Sequence, residues 1–320
     1  MTIRIIGTGS ALPETVVTND DLSKIMDTSD EWIKSRTGIC ERHLAKDETT
    51  VGLSVEAALK ALKNAGVSAK ELDFIIVASV TGDQITPAAA CGVQAALGAD
   101  RAVAFDINGA CSGFLFALHT AYAYMNLGIY RTGLIIGAEV LSRIMDWTDR
   151  STCVLFGDGA GAAVVRQDVK GLLAFDQGSD GARGNCLCCP GRPNDNPLVS
   201  NPQTLGYVRM DGQEVYKFAV TAVPASVEKT LEQASLTTDD VDWFVLHQAN
   251  IRILNSVAKR LKVGMEKFPV SLDHCGNVSA ASVPILLDEM NQKGMLKAGN
   301  KIVLSGFGAG LTWGTSVLEW

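Results

Sequence analysis

The sequence predicts a layered α/β protein built from two similar halves. Helical stretches alternate with short apolar runs such as FIIVAS and WFVLH, and continuous apolar runs are typical of strands buried on both faces. Segments of the two halves match at a constant offset: Ala65 corresponds to Ala234 (234 − 65 = 169), and Gly137 corresponds to Gly306 at the same spacing. Separated matches without a gap indicate an internal duplication, and the alternation indicates helices packed on sheets.

The boundary of the duplication falls near residue 169, so we expect an N-terminal half over residues 1–169 and a C-terminal half over residues 170–320. In each half an amphipathic helix, Glu56 to Ala65 or Val227 to Ala234, leads into an apolar strand, and a second helix and strand follow. From about Asp176 to Gln213 the chain lacks periodicity and is rich in Gly, Pro and Asn. This predicts a long surface excursion of a kind that is often functional.

Composition excludes several classes of protein. The chain has 320 residues, is 47% hydrophobic and carries a net charge of -7, which argues against wholesale nucleic-acid binding. It contains no apolar run of the roughly 18 residues that a membrane span needs, and its start lacks the apolar region of a signal peptide. We therefore expect a cytoplasmic protein without a membrane segment, in which the eight cysteines are mostly reduced.

One cysteine lies where a nucleophile is expected. Cys111 follows the apolar strand Ala102 to Phe105 and opens the helical stretch Phe114 to Met125. The positive end of a helix dipole favours a thiolate, and the small neighbours Gly109 and Gly113 allow a substrate to approach the sulfur. A buried structural cysteine fits the same pattern.

Two polar residues of the second half occupy comparable places. His247 follows the strand Trp243 to Leu246, and the end of a buried strand is where α/β proteins place site residues. The corresponding residue of the first half is Ala78, so the histidine is an addition to the repeat. Asn277 precedes a helix that starts with Ser279-Ala-Ala-Ser, where a simple N-cap is the alternative interpretation.

Glycine and cysteine clusters complete the set of candidates. Gly157-Asp-Gly-Ala-Gly161 and Gly306-Phe-Gly-Ala-Gly310 each follow an apolar stretch. They are either tight turns or places where backbone N–H groups approach a reacting carbonyl. Cys186, Cys188 and Cys189 offer three thiols without a second cluster, whereas zinc sites usually have four ligands in paired spacings. We predict no metal site.

Taken together, these segments closely resemble the β-ketoacyl-[acyl-carrier-protein] synthase III family of chain-initiating condensing enzymes. The matching motifs stand in family order over essentially the whole chain: SDEWIKSRTGI, DINGACSGFLFAL, GDGAG, HQANIRI, GNVSAAS and GFGAGLTWG. The resemblance implies a thiolase-like fold with a five-layered α-β-α-β-α arrangement. It also implies a homodimer and no cofactor, since the coenzyme A thioester is a substrate.

The activity implied by the resemblance has two stages. Acyl-coenzyme A acylates Cys111; malonyl-acyl-carrier-protein then loses carbon dioxide, and its enolate attacks the acyl-enzyme to give 3-oxoacyl-acyl-carrier-protein. His247 and Asn277 are expected to donate hydrogen bonds to the malonyl thioester oxygen. The backbone N–H groups of Cys111 and Ala309 are expected to bind the acyl thioester oxygen.

The resemblance also assigns the binding residues. Those expected to bind coenzyme A are Trp32, Arg36 and Arg150. Those expected to bind the acidic carrier protein are Lys217, Gln248, Ala249, Asn250, Ile251, Arg252 and Lys259. Thr86 is expected to line the acyl pocket of the partner subunit. It stands where many acetyl-preferring members have Phe, and Cys275 stands where the family commonly has an aromatic residue, so primer choice stays open.

Two other functions fit parts of the pattern. A papain-like cysteine hydrolase also uses Cys, His and Asn, but its motif has Trp soon after the nucleophile, where Phe114 and Leu115 stand here. A condensing enzyme that starts specialised, polyketide-like chains with a different primer is the closer alternative. The sequence predicts chain initiation in fatty acid biosynthesis.

Overall fold

The computed structural model describes residues 1–201 and 205–320, in which strands and helices alternate. The strands are β1 (Thr2–Ala11), β2 (Val16–Thr18), β3 (Glu41–His43), β4 (Phe74–Ala78), β5 (Val103–Ile107), β6 (Thr132–Glu139), β7 (Gly159–Asp168), β8 (Leu172–Ser179), β9 (Leu187–Cys188), β10 (Arg209–Met210), β11 (Trp243–Leu246), β12 (Lys301–Gly308) and β13 (Thr312–Glu319). The α-helices are α1 (Asn19–Ser23), α2 (Asp30–Thr37), α3 (Thr50–Ala65), α4 (Ala89–Leu97), α5 (Gly113–Asn126), α6 (Gly212–Gln233), α7 (Ile251–Leu261), α8 (Leu272–Cys275) and α9 (Ser282–Gln292). Short 3₁₀ helices cover Ala69–Glu71, Ala110–Ser112, Leu141–Ile144, Gly181–Cys186, Thr238–Asp240, Met265–Lys267 and Ser279–Ala281.

Two mixed sheets form the frame of the molecule. The first has the order β1-β7-β6-β4-β5, with β6, β4 and β5 parallel and β7 antiparallel to its neighbours. The second has the order β11-β12-β13-β8, with β11 and β12 parallel. All strands of the first sheet precede residue 169 and all strands of the second follow it.

Helices separate and cover these sheets. α3 and α4 pack on the outer face of the first sheet, α5 and α9 contact strands of both sheets, and α6 packs on the second sheet with α7 beside it. The order of layers is therefore α-β-α-β-α, as predicted.

Alternation along the strands explains the layering. In β4, Phe74 and Ile76 join the core between the two sheets, whereas Ile75 and Val77 join the core beneath α3 and α4. Both sets are fully buried. A strand covered on both faces has no solvated side, so its sequence is a continuous apolar run.

The main helices extend beyond the predicted ranges, and their early turns already contain buried apolar residues such as Leu53 and Val215. α3 begins at Thr50, six residues before the predicted Glu56, where the Thr49 side chain accepts a hydrogen bond from the Gly52 N–H. α6 begins at Gly212, capped by Asp211, although its apolar pattern was recognised only from Val227. A side-chain cap marks each start.

The irregular excursion is shorter than predicted at its start. Residues 176–179 belong to β8, and the irregular stretch begins after Ser179, with a 3₁₀ turn and the short strands β9 and β10. Among the described residues, no helix combines the length and apolar composition needed to cross a bilayer.

Candidate active site

Cys111 lies in a tight turn between β5 and α5. Ala110, just before it, has a φ of 44°, which is unusual for a residue with a side chain. The turn is crowded: a Cβ on Gly308 of β12 would lie 2.7 Å from the Cys111 backbone nitrogen, and a Cβ on Gly113 would lie 2.9 Å from the Cβ of Ala78. Glycine is therefore required where neighbouring elements approach the nucleophile turn.

Burial, rather than the helix dipole, dominates the titration of the Cys111 thiol. The thiol is buried, and desolvation raises its pKa to about 12, while a hydrogen bond with the Ser279 side chain acts in the opposite direction. Burial therefore opposes the thiolate that the helix start was expected to favour. With its pKa raised to about 12, the thiol is protonated at neutral pH.

A buried carboxyl lies behind the nucleophile. Glu139, at the end of β6, is fully buried, and burial raises its pKa to about 7 although Thr81, Val80, Ser279 and Ser79 hydrogen-bond to it. Its charge also contributes to the raised pKa of Cys111. Glu139 was not predicted from the sequence because nothing in its apolar strand marks a site.

His247 directly follows β11 and is held by backbone and ring contacts. Its backbone N–H donates to the Ser305 oxygen at 2.7 Å, and its ring meets Phe307 edge to face at 5.3 Å between centroids. Burial lowers its pKa to about 3, so the ring is neutral at neutral pH. Within the described residues its buried Nδ1 has no hydrogen-bond partner, and the residue lines the cavity at Cys111.

Asn277 is fixed by its backbone rather than acting as a simple helix cap. Its N–H donates to the Leu155 oxygen at 2.9 Å, and its carbonyl accepts from the Gly157 N–H at 3.0 Å. The side-chain oxygen accepts from the Ser279 N–H at 2.9 Å, which turns the amide nitrogen outward as a donor. Gly157 of the GDGAG segment therefore holds Asn277, and Gly159 opens β7, so the segment does not follow a strand as predicted.

The three predicted catalytic residues line one cavity. Cys111, His247 and Asn277 contact a space of ≈ 130 Å³, together with Phe156 and Phe307. Convergence of a thiol, a neutral imidazole and an amide in an apolar cavity suits covalent chemistry on a carbonyl compound.

Cys111 also borders a second cavity of ≈ 560 Å³. Ala309, the predicted second oxyanion donor, lines this cavity with Ser279. Leu187, Cys188 and Cys189 of the excursion border it as well, so the excursion contributes directly to the site. Sequence analysis missed Leu187 and Phe156, since isolated apolar residues in loops carry no signal of a lining role.

The predicted coenzyme A residues form a cluster at the protein surface. The guanidinium carbons of Arg36 and Arg150 lie 4.5 and 5.1 Å from the centroid of the Trp32 ring. Arg150 also pairs with Asp27 at 3.3 Å. Both arginines are exposed and Trp32 is half-buried, so the cluster offers an aromatic face with positive charge beside it.

The predicted carrier-protein residues divide into surface and support. Arg252 and Lys259 are exposed on α7, while Lys217 on α6 is exposed and pairs with Glu214 at 2.7 Å. Ala249 and Ile251 are half-buried, and Asn250 caps α7 by accepting from the Arg252 N–H.

Gln248 differs from the rest of this set. Its side chain is buried, donates to the Leu246 oxygen at 2.8 Å and accepts from the Ser271 N–H at 3.1 Å. We therefore assign Gln248 to holding the loop that follows His247 rather than to surface contact.

Thr86 and the excursion cysteines complete the set of predicted residues. Thr86 is exposed and borders neither cavity at Cys111; its predicted role concerns a partner subunit. Within residues 1–201 and 205–320, Cys186, Cys188 and Cys189 are free thiols and do not converge with further potential ligands.

Comparison with known proteins places the chain in one family. The model for the 3-oxoacyl-[acyl-carrier-protein] synthase III C terminal matches residues 231–320, and the model for 3-oxoacyl-[acyl-carrier-protein] synthase III matches residues 105–181. β-Ketoacyl-[acyl-carrier-protein] synthase III of Clostridium acetobutylicum is 50% identical over 99% of this chain and 98% of its own.

Solved structures agree with this placement. The 3-oxoacyl-[acyl-carrier-protein] synthase III from Aquifex aeolicus VF5 superposes with a TM-score of 0.93 at 44% identity, covering 99% of this chain and 100% of its own. The priming β-ketosynthase of the R1128 polyketide pathway gives the same TM-score at 36% identity, covering 99% and 96%. With its nucleophile turn, its cavity and these full-length relatives, the chain belongs to the β-ketoacyl-[acyl-carrier-protein] synthase III family of thiolase-fold condensing enzymes.

Proposed function

We propose that the protein condenses an acyl-coenzyme A with malonyl-acyl-carrier-protein, releasing coenzyme A and carbon dioxide and giving 3-oxoacyl-acyl-carrier-protein. The observation that carries this proposal is the convergence of Cys111, His247 and Asn277 on one cavity in a chain of this family. The reaction starts the carbon chain in fatty acid biosynthesis.

The first step is transfer of the acyl group to Cys111. The thiol gives up its proton, the sulfur attacks the thioester carbonyl, and coenzyme A leaves as a thiol after taking up a proton. Negative charge develops on the carbonyl oxygen, and the backbone N–H groups of Cys111 and Ala309 are assigned to bind it. Ala309 and Cys111 border the same ≈ 560 Å³ cavity, which supports this assignment.

The second step takes place in the cavity that His247 and Asn277 line with Cys111. Loss of carbon dioxide from the malonyl group places negative charge on its thioester oxygen, which His247 and Asn277 stabilise by donating hydrogen bonds. The low pKa of the buried imidazole keeps it neutral, so it acts through its N–H rather than as a cation. The enolate carbon then attacks the acyl-enzyme carbonyl, and the Cys111 sulfur leaves.

A path from the surface to Cys111 supports a substrate on a long flexible arm. Gly212, Tyr216 and Asn250 border both the inner cavity and an outer groove of ≈ 590 Å³, which is also bordered by Arg36, Lys217 and Arg252. The basic rim suits the phosphates of coenzyme A and the acidic surface of a carrier protein.

The predicted homodimer, cytoplasmic location and lack of a cofactor belong to this proposal. The homodimer rests on membership of the family. All eight cysteines are free thiols, as expected in a reducing compartment. The thioester supplies the reactive carbonyl, so the reaction needs no bound cofactor.

Greater likeness to synthase III enzymes favours fatty acid initiation over a polyketide-starting role. The Clostridium relative is 50% identical, whereas the polyketide-priming structure is 36% identical.

The test is reconstitution with purified components. The protein, a panel of acyl-coenzyme A primers and malonyl-acyl-carrier-protein are combined, and 3-oxoacyl-acyl-carrier-protein is measured by intact-protein mass spectrometry. We expect one product per carbon dioxide released. Acylation of the protein without any condensation product, across all primers, would contradict the proposal.

A further inference from the structure

A cluster of three potential metal ligands lies outside both cavities at Cys111. His274 and Cys275 end α8, and Glu289 lies on the facing side of α9. Their ligand atoms all lie within 4.8 Å of one another. None of the three borders the ≈ 130 or ≈ 560 Å³ cavity, so the condensation chemistry does not account for them.

The spacing of the atoms is close to that of a tetrahedral site. His274 Nε2 lies 2.8 Å from Glu289 Oε1, and Cys275 Sγ lies 3.8 Å from the same oxygen. Ligand atoms about 2.0–2.3 Å from a tetrahedral ion are about 3.3–3.8 Å apart. The sulfur and oxygen already have this spacing, and the nitrogen and oxygen need to separate by about half an ångström.

The histidine is oriented for coordination by a neighbouring carboxylate. Asp273 Oδ1 accepts from His274 Nδ1 at 2.9 Å, which leaves Nε2 facing Cys275 and Glu289. A carboxylate hydrogen-bonded to the distal nitrogen is the usual support of a metal-bound histidine. In the absence of an ion, Nε2 donates to Glu289 Oε1 at 2.8 Å, and it becomes a ligand once that proton is released.

The surroundings anchor the sulfur and leave an entrance. Cys275 is buried with Val278, Ala281 and Ile285, whereas the side chain of His274 is 36% exposed. The lysine that pairs with the cluster can be displaced. Lys293 pairs with the second oxygen of Glu289 at 3.2 Å. Because the lysine side chain is 62% exposed, it can move into solvent when a cation binds.

We propose that His274, Cys275 and Glu289 bind one Zn²⁺ ion, with water as the fourth ligand. A set of ligands made of a thiolate, an imidazole and a carboxylate binds zinc in preference to magnesium or calcium. On binding, the thiol and the imidazolium release their protons to solvent, and the hydrogen bond between His274 and Glu289 is replaced by shared coordination. Cys275 lies two residues before Asn277. A bound ion therefore holds the start of the loop that contains Asn277.

The test uses Co²⁺ as a spectroscopic substitute on the full-length protein after treatment with a chelator. We expect one equivalent of Co²⁺ to produce thiolate-to-metal charge-transfer absorption, and one equivalent of Zn²⁺ to abolish it. Cys275→Ser should remove this absorption. Asp273→Asn should weaken binding about 10–100-fold, because it alters the carboxylate that supports the ligating histidine. Glu289→Gln removes a ligand and should weaken binding at least as much.

Matched thiols provide the control. The double variant Cys188→Ser/Cys189→Ser changes two more accessible cysteines and should retain the charge-transfer absorption and its stoichiometry. Loss of the absorption in that variant, or its persistence in Cys275→Ser, would place the ion elsewhere and overturn the proposal. Glu289→Gln, at a half-buried position, keeps the test decisive if Cys275→Ser fails to fold, since unchanged affinity in that variant also overturns it.

Discussion

The two halves of the molecule contain the same helix-start turn, yet only one carries a nucleophile. The 3₁₀ turn Ala110–Ser112 precedes α5, and the turn Ser279–Ala281 precedes α9, 169 positions further on. Their first residues have φ values of 44° and 47°. Cys111 in the first turn corresponds to Ala280 in the second, so the unusual backbone belongs to the repeated turn and not to the thiol alone.

The backbone of each turn also packs closely against a strand of the opposite half. A Cβ on Gly306 of β12 would lie 3.0 Å from the Cys111 carbonyl oxygen, and a Cβ on Gly137 of β6 would lie 2.2 Å from the Ala280 carbonyl oxygen. Gly137 and Gly306 are themselves 169 positions apart. These matches support the proposal that residues 1–169 and 170–320 are duplicated halves.

The difference shows how the halves divide the reaction. The first half supplies the sulfur that holds the acyl group, and the second supplies His247 and Asn277, where the first has Ala78 and Asn108 at the same offset. If the halves are duplicated, the proposed covalent site comes from one half and the proposed charge-stabilising site from the other, and both line one cavity.

The largest expected effect comes from removing the nucleophile of the first half. Cys111→Ala should abolish labelling by radioactive acyl-coenzyme A, because the acyl group is held through that sulfur. Adding Ala280→Cys to this variant moves a thiol to the corresponding turn and should not restore labelling, since Ala280 is buried and borders neither cavity at Cys111. Stable labelling of either variant at the wild-type level would contradict the assignment.

The pH dependence of alkylation sharpens the account of the nucleophile turn. Since burial raises the Cys111 pKa to about 12, the reactive thiolate fraction grows with pH and does not level off near neutrality. Iodoacetamide should modify Cys111 about a thousandfold faster at pH 10 than at pH 7. Peptide mass spectrometry reads the modified position, and a plateau reached by pH 8 would show that the helix start outweighs burial.

The second half is tested through the malonyl step. His247→Ala and Asn277→Ala should each lower malonyl decarboxylation about 10²–10³-fold, the usual cost of one oxyanion donor. Acylation of Cys111 should change much less, because backbone N–H groups serve the first substrate. Release of ¹⁴CO₂ and acyl labelling are measured on the same preparations; equal loss of both activities would refute the division of labour.

Sequence reasoning recovered the layers, the nucleophile turn and the three convergent residues, because buried strands, the repeat and the family motifs are local patterns. The sequence did not predict properties that depend on burial or on contacts between distant segments. The raised pKa of Cys111 depends on burial beneath Phe156 and its neighbours, which the helix-start argument ignored. Glu139 and Leu187 reach the site from distant segments and carry no local signal.

Primer choice tests whether the first half also selects the acyl chain. If Thr86 lines the acyl pocket of a partner subunit, Thr86→Phe should fill its end and shift preference toward acetyl-coenzyme A. Each buried methylene is worth about 0.8 kcal/mol, so the ratio of kcat/KM for longer to shorter primers should fall about 10–100-fold. Acetyl-, butyryl- and longer acyl-coenzyme A are compared in both proteins; an unchanged chain-length profile would remove Thr86 from the pocket.

The smallest expected effect concerns how the second half receives its carrier. Arg252 is exposed on α7 at the rim of the outer groove, and its guanidinium donates to the Ser35 oxygen at 3.1 Å. Arg252→Glu should raise the KM for malonyl-acyl-carrier-protein several-fold at low salt while sparing exchange of acyl groups with coenzyme A, since a rim charge mainly changes association rate. Lys262→Glu is the matched control for net charge. Lys262 is also exposed, but it adopts the left-handed αL conformation at the end of α7. The effect of Arg252→Glu should shrink as salt rises, because screening weakens the attraction between exposed charges. An unchanged KM at low salt, or an equal change in the Lys262 variant, would show that carrier docking does not depend on this part of the second half.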